Sequence, residues 1–238
     1  MPEANIISVT LTEEHVEGKR LGRHVKHDPR SFEFQAGRAT KIVSVTHQST
    51  GLPLDQGQLG SCTANALCGA LDSAPDFAGG SILTEADAIR VYELETKMEG
   101  KPYPPNDPGG SGLMVCTAAK QLGMITAYHH AFGIQHALQA LVVRPVITGI
   151  NWYSSFDSPD PQTGMVAIAA GAKVRGGHEI VADGIDADKK LVWFWNSWGT
   201  QYGLGGRFCL TFDTWDRLLQ EQGDVTVPVT CRAPNINW

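Results

Sequence analysis

The chain has 238 residues, 42% of them hydrophobic, enough to bury one sizeable core or two small lobes and too many for a disordered chain. Its formal net charge is -6, and its 19 Lys and Arg are scattered rather than striped, so no basic field exists for a phosphate backbone and no nucleic-acid partner is expected. The opening Met-Pro-Glu-Ala-Asn-Ile-Ile lacks a basic start followed by a long apolar run, and no apolar stretch approaches the roughly 20 residues of a membrane span; neither a secretory signal nor a membrane partner is expected.

In chain order, the first ~40 residues are polar and charged and read as an extended arm, with His24, His27, Asp28, Pro29 and Arg30 near its end. At Cys62 the pattern turns helical, with Ala66, Leu67, Ala70 and Leu71 on one face until Pro75 stops it. A second helix is expected to start at Thr84, with Asp87 three residues on to complete a capping box and Ala88, Ile89 and Tyr92 as its buried stripe. Residues 101–112 carry four prolines and three glycines, so a surface loop is expected there. Helical spacing returns at Val115, Ala119 and Leu122, ending at Gly123, and at Ile134, Leu138 and Leu141, ending before Pro145. Beyond Pro145 come short β-rich runs at 146–153, 165–169, 178–185, 191–195 and 207–212. Helices first and strands after predict an α+β protein with two lobes across a cleft.

The five cysteines, Cys62, Cys68, Cys116, Cys209 and Cys231, are odd in number and match no zinc-ligand spacing. A reducing compartment is therefore expected, and no metal or cofactor.

Three segments carry the chemistry. In Gln56-Gly57-Gln58-Leu59-Gly60-Ser61-Cys62-Thr63 a cysteine stands where a glycine-rich loop becomes a helix. There the unpaired N–H groups and the helix dipole favour a thiolate. A small buried residue at a helix start is the bland alternative. In Gly176-Gly177-His178-Glu179 a histidine opens a predicted strand, where an imidazole can meet a thiol and lower its pKa further. In Trp195-Asn196-Ser197-Trp198-Gly199 a strand ends on an amide whose oxygen can fix the imidazole tautomer, with Trp198 as a screen from water.

Together these motifs resemble the papain family of cysteine peptidases, over about 54–212. Gln56, the Gly-Ser-Cys-Thr run, Gly-Gly-His and Asn-Ser-Trp-Gly occur in that family's order. The histidine comes early against the family's usual spacing of roughly 130 to 150 residues, as shortened loops in a compact version would explain. The resemblance implies a helical lobe at about 55–140, an antiparallel β-barrel-like lobe at about 141–238, and a 1–45 arm or short pro-segment before a 46–238 domain. It implies Cys62 as nucleophile, His178 as general base and acid, Asn196 as its orienting partner, and Gln56 with the Cys62 N–H as oxyanion donors to a peptide or protein substrate. Gly109 and Gly110 resemble the glycine pair that hydrogen-bonds an extended substrate, though loop flexibility explains them equally well. Gly177, Glu179 and Trp198 complete the implied substrate-binding set.

The departures matter too. Leu59 stands where the family has a cysteine, so its usual disulfide cannot form, and Thr63 stands where an aromatic residue follows the nucleophile. The segment before Cys62 is shorter than a typical inhibitory pro-domain, although a short arm could still block the cleft. Glu179 replaces a small apolar residue beside the pocket for the second residue on the acyl side of the scissile bond. Facing that pocket it would favour a basic side chain there; strand alternation could instead turn it to solvent. A thiol amidase or acyltransferase acting on a non-protein amide, and a non-catalytic binding module of the same fold, are the alternative functions.

Overall fold

The computed structural model describes residues 5–51, 53–77 and 81–230. The arm is not merely extended. Strands β1 (Ile7–Val9) and β2 (Val25–His27) pair antiparallel, and a 3-10 turn follows at Pro29–Glu33. A two-residue strand, β3 (Val45–Thr46), then joins the edge of a later strand.

Helix α1 (Cys62–Leu71) is buried almost all round. Its small side chains, Ala64, Ala66, Gly69 and Ala70, let it lie close against the sheet: a Cβ on Gly69 would sit 3.2 Å from Val181 Cγ2. Helix α2 (Glu85–Met98) begins as expected, with Asp87 Oδ2 accepting both the Thr84 N–H and its hydroxyl at 2.9 Å. Helix α3 (Gly112–Gln121) starts under the Ser111 cap and stops before Gly123, whose φ of 74° suits a residue without a Cβ. Strand β4 (Ala127–His130) and helix α4 (Gly133–Val143) follow. Then come β5 (Val146–Tyr153), β6 (Val174–Asp186), β7 (Leu191–Trp195), β8 (Arg207–Thr211), α5 (Phe212–Gln220) and β9 (Asp224–Val229).

The architecture is α+β, as the order of elements implied. The main sheet runs β4-β9-β5-β6-β7-β8, all neighbours antiparallel, with β3 added on β6. Its ends, β4 and β8, are not joined, so the expected barrel-like closure does not occur: the sheet is open. The strand expected at 165–169 is also absent. Only Met165 bridges Cys209, and Ser155 Oγ serves the backbone beyond, donating to Ala167 O and accepting from Ala169 N. A side chain there takes the place of a neighbouring strand.

Two apolar clusters form. One gathers α1, α2 and α3 with Ile147 and Val181. The other joins α4, α5 and the sheet around Trp152, Phe194, Phe208 and Trp215. Strand β6 contributes to both and is buried along nearly its whole length, so His178 and Glu179 lie where the two clusters meet.

Candidate active site

Cys62 is the first residue of α1 and is fully buried. The backbone N–H groups of Glu179, the residue after His178, and of Thr63 favour its thiolate. His178 is equally buried, held edge-on by Trp152 at 4.8 Å and stacked by Trp198 at 5.0 Å between ring centroids. Its Nε2 lies 2.7 Å from Asn196 Oδ1, while Nδ1 has no hydrogen-bond partner among the described residues. Since an amide oxygen only accepts, Nε2 carries the proton and Nδ1 keeps its lone pair.

Gln56 is fixed from both ends. Ser197 Oγ donates to its Oε1 at 2.5 Å and its Nε2 donates to Leu59 O at 2.8 Å, leaving the second amide hydrogen uncommitted; its own N–H donates to Ser197 O. The turn after β7 thus supplies Asn196 to the histidine and Ser197 to the glutamine. The structure brings Cys62, His178, Asn196 and Gln56 to the seam between α1 and the sheet.

The arm lies across the same seam. Trp198 Nε1 donates to Arg20 O at 2.9 Å. Gly22 and Arg23 both donate to Gly177 O, at 3.2 and 3.0 Å. Gly110 N donates to Gly22 O at 2.9 Å and Gly110 O accepts from His24 N at 2.7 Å. Gly109, Gly110, Gly177 and Trp198, all in the implied substrate-binding set, are therefore engaged by the protein's own residues 20–24. The absence of side chains is what permits the contact: a Cβ on Gly109, Gly177 or Gly22 would overlap the backbone of Gly22, Arg23 or Gly60 respectively.

Burial sets the protonation of the pair. Desolvation pushes the Cys62 thiol well above its ordinary range, with the nearby Glu179 and Glu95 carboxyls adding to the rise and the two backbone N–H bonds opposing it. Desolvation also lowers His178 to about 4, against the bond from Asn196. Burial thus favours the neutral form of both groups.

Three features lay outside the sequence reading. Trp152 braces the imidazole. Asp224, at the start of β9, faces Glu179. Glu95 on α2, fully buried, accepts from Thr63 Oγ1 at 2.8 Å and from Ser111 N at 2.9 Å. The threonine in place of an aromatic residue thus serves a buried carboxyl, a contact that a separation of 32 residues hides from inspection. Glu179 is buried rather than turned to solvent. Cys62, Cys68, Cys116 and Cys209 are buried thiols; Cys231 lies outside the described residues. No helix among the described residues is long and apolar enough to cross a membrane, and no group of three His, Cys, Asp or Glu among them could hold a metal ion.

Burial raises Glu95 to about 8, with the bonds from Thr63 and Ser111 opposing and Glu99 and Lys26 acting more weakly in opposite directions. The folded state then holds a proton that the unfolded chain releases near 4.5. Stability from this group is complete below that value and is lost as the pH rises through about 8. Glu95→Gln keeps a neutral acceptor for Ser111 and a donor toward Thr63. It is expected to flatten the pH dependence of the urea-unfolding free energy between pH 5 and 8 by up to about 1.4 kcal/mol per pH unit. An unchanged slope would mean that Glu95 is ionised in the fold.

The fold is that of the papain-like cysteine proteases. Xylellain, a cysteine protease from Xylella fastidiosa, superposes with a TM-score of 0.72 at 20% identity, covering 92% of this chain and 99% of its own. Digestive procathepsin L 3 of Tenebrio molitor larval midgut gives 0.62 at 13% identity over 93% of this chain and 83% of its own. A Carica candamarcensis cysteine protease gives 0.59 at 15% identity over 79% and 99%. No protein-family model and no curated protein matches the sequence.

Proposed function

We propose that the chain is a cysteine peptidase that hydrolyses peptide bonds through an acyl-enzyme at Cys62, with residues 46–238 as the peptidase domain and the arm before them as a cover over its cleft. The observation that carries this reading is a buried sulfur at a helix N-terminus, favoured as thiolate by the N–H of Glu179, beside an imidazole whose Nε2–H is tied to Asn196 and whose Nδ1 has no partner among the described residues. In the open cleft, Nδ1 takes the thiol proton, and the sulfur attacks the peptide carbonyl. The oxyanion forms against the Cys62 N–H and the free amide hydrogen of Gln56. The imidazolium then protonates the departing amine, and the same nitrogen activates the water that frees the acid. Readmitting water to the cleft removes the desolvation that holds the pair neutral, so uncovering the site and activating the thiol are one event.

The test is mass-spectrometric mapping of a peptide-like, thiol-directed electrophile on the full chain carrying Gly22→Leu, whose side chain would collide with the Gly60 carbonyl and unseat the arm. Cys62 should be labelled at least about ten-fold faster than any other cysteine, and His178→Ala should slow it by a similar factor. Equal labelling of all five thiols, or labelling indifferent to His178, would favour a non-catalytic domain of this fold.

A further inference from the structure

The two donors assigned to the oxyanion, the Gln56 amide and the Cys62 N–H, stand at opposite ends of a loop that carries glycine at 57 and 60. Glycine gives such a segment freedom, whereas a donor pair stabilises developing charge only when both members are held in place beforehand. With Leu59 in place of a cysteine, no disulfide anchors the loop. Its Gln56 end is fixed by Ser197 and by the Leu59 carbonyl. Its Cys62 end is fixed from another part of the chain.

That anchor is Asp107, in the segment between α2 and α3. The Gly60 N–H, two residues before Cys62, donates to Asp107 Oδ1 at 3.0 Å and to Oδ2 at 3.1 Å. The approach leaves no room for a side chain: a Cβ on Gly60 would come within 2.9 Å of Asp107 Oδ1. The carboxylate is held in its turn. Tyr92, fully buried on α2, donates its hydroxyl to Asp107 Oδ1 at 2.6 Å and accepts from Gly109 N at 2.8 Å. Burial, reinforced by the same carboxylate, raises the phenol well above its ordinary range, so it stays a donor. Arg20 of the arm adds a bond to Oδ2 at 3.1 Å and pairs with Glu13 as well. The arm's contact is lost when the arm leaves, whereas Gly60, Tyr92 and Gly109 belong to the body of the domain.

We propose that Asp107 is a positioning residue for the peptidase: it ties the Gly60 end of the loop to α2 and so sets the Cys62 N–H against the Gln56 amide at the oxyanion. This rests on the peptidase reading above. Asp107 acts through Gly60 and not on the reacting atoms. Its loss leaves sulfur and imidazole in place, because Cys62 is carried by α1 and His178 is held by Asn196, Trp152 and Trp198. The cost falls on the step in which the carbonyl oxygen gains charge.

The test compares two reactions of Cys62 in the full chain carrying Gly22→Leu: hydrolysis of a fluorogenic peptide amide, which passes through an oxyanion, and alkylation by iodoacetamide, which does not. Asp107→Ala should lower kcat at least about ten-fold with KM within about three-fold, while Cys62 alkylation, read by mass spectrometry, keeps its rate within about three-fold. Asp107→Asn keeps an acceptor oxygen for Gly60 and should restore kcat to within about three-fold of the parent. Gly60→Val, whose side chain would displace the carboxylate, should repeat the Asp107→Ala split, and it decides the matter if Asp107→Ala does not fold. An unchanged kcat in either variant overturns the assignment, as does alkylation that falls as far as hydrolysis, or an Asn variant as slow as the Ala one. A Gly22→Leu parent that hydrolyses no peptide amide removes the peptidase reading and the positioning role with it; an active parent matched by Asp107→Ala sinks the positioning role alone.

Discussion

Cys62→Ala, made in the Gly22→Leu chain, is expected to lower hydrolysis of a fluorogenic peptide amide by at least about ten-thousand-fold, with a melting temperature within a few degrees of the parent. The size follows from the route. Without the sulfur no acyl-enzyme forms, and the remaining oxyanion donors and the histidine have no positioned nucleophile to assist. The fold should notice little, because a small buried side chain replaces another of similar size on a helix already rich in alanine. His178→Ala should cost nearly as much, and the double variant little more than either single one, since residues acting in one step are not additive. Asn196→Ala should cost less, because it frees the imidazole to rotate without removing it. Product released at the parent rate by the Cys62 variant would end the acyl-enzyme proposal.

Trp152→Ala carries the largest expected effect on stability, a loss of about 3–5 kcal/mol, or roughly 10 °C in melting temperature for a chain of this size. Its indole is fully buried and touches the rings of Phe156, Trp198, Tyr202 and Phe208 as well as His178, with centroids 4.8–6.3 Å away. Its Nε1 also donates to Asp157 Oδ1 at 2.9 Å, the oxygen that Arg175 binds from the other side. Alanine would leave a cavity and a half-served carboxylate, and the imidazole would lose one wall. Trp152→Phe should recover most of the stability, since a ring refills most of the volume. Urea unfolding of both variants checks this; a loss under about 1 kcal/mol for alanine would mean that the cluster repacks freely.

Much of the local structure could be read from residue order. The caps and stops of α2 to α4 lay in Thr84 with Asp87, in Gly123 and in Pro145, because these act within a turn or two of chain. Strands β5, β6, β7 and β8 were legible from dense β-branched and aromatic runs. Helix α5 escaped because it follows a strand without a break, Thr211 serving as its cap at the very end of β8. Strand β4, at the sheet edge, and β9, between it and β5, escaped because their pairing, Ala127 with Val229 and His130 with Thr226, joins residues about a hundred positions apart.

The sequence by itself determined which residue types stand at a helix start, a strand start and a strand end, and so the identity of Cys62, His178 and Asn196 as a candidate set. Those signals are local: a glycine loop, a double glycine, an aromatic run ending in an amide. Only the tertiary structure decided that Asp107 meets Gly60 and Arg20, that the arm fills the seam, and that Glu95 sits under Thr63. Each of these joins groups far apart in the chain, and a buried charge or a bare glycine acquires its meaning only when folding brings its counterpart within a few ångströms.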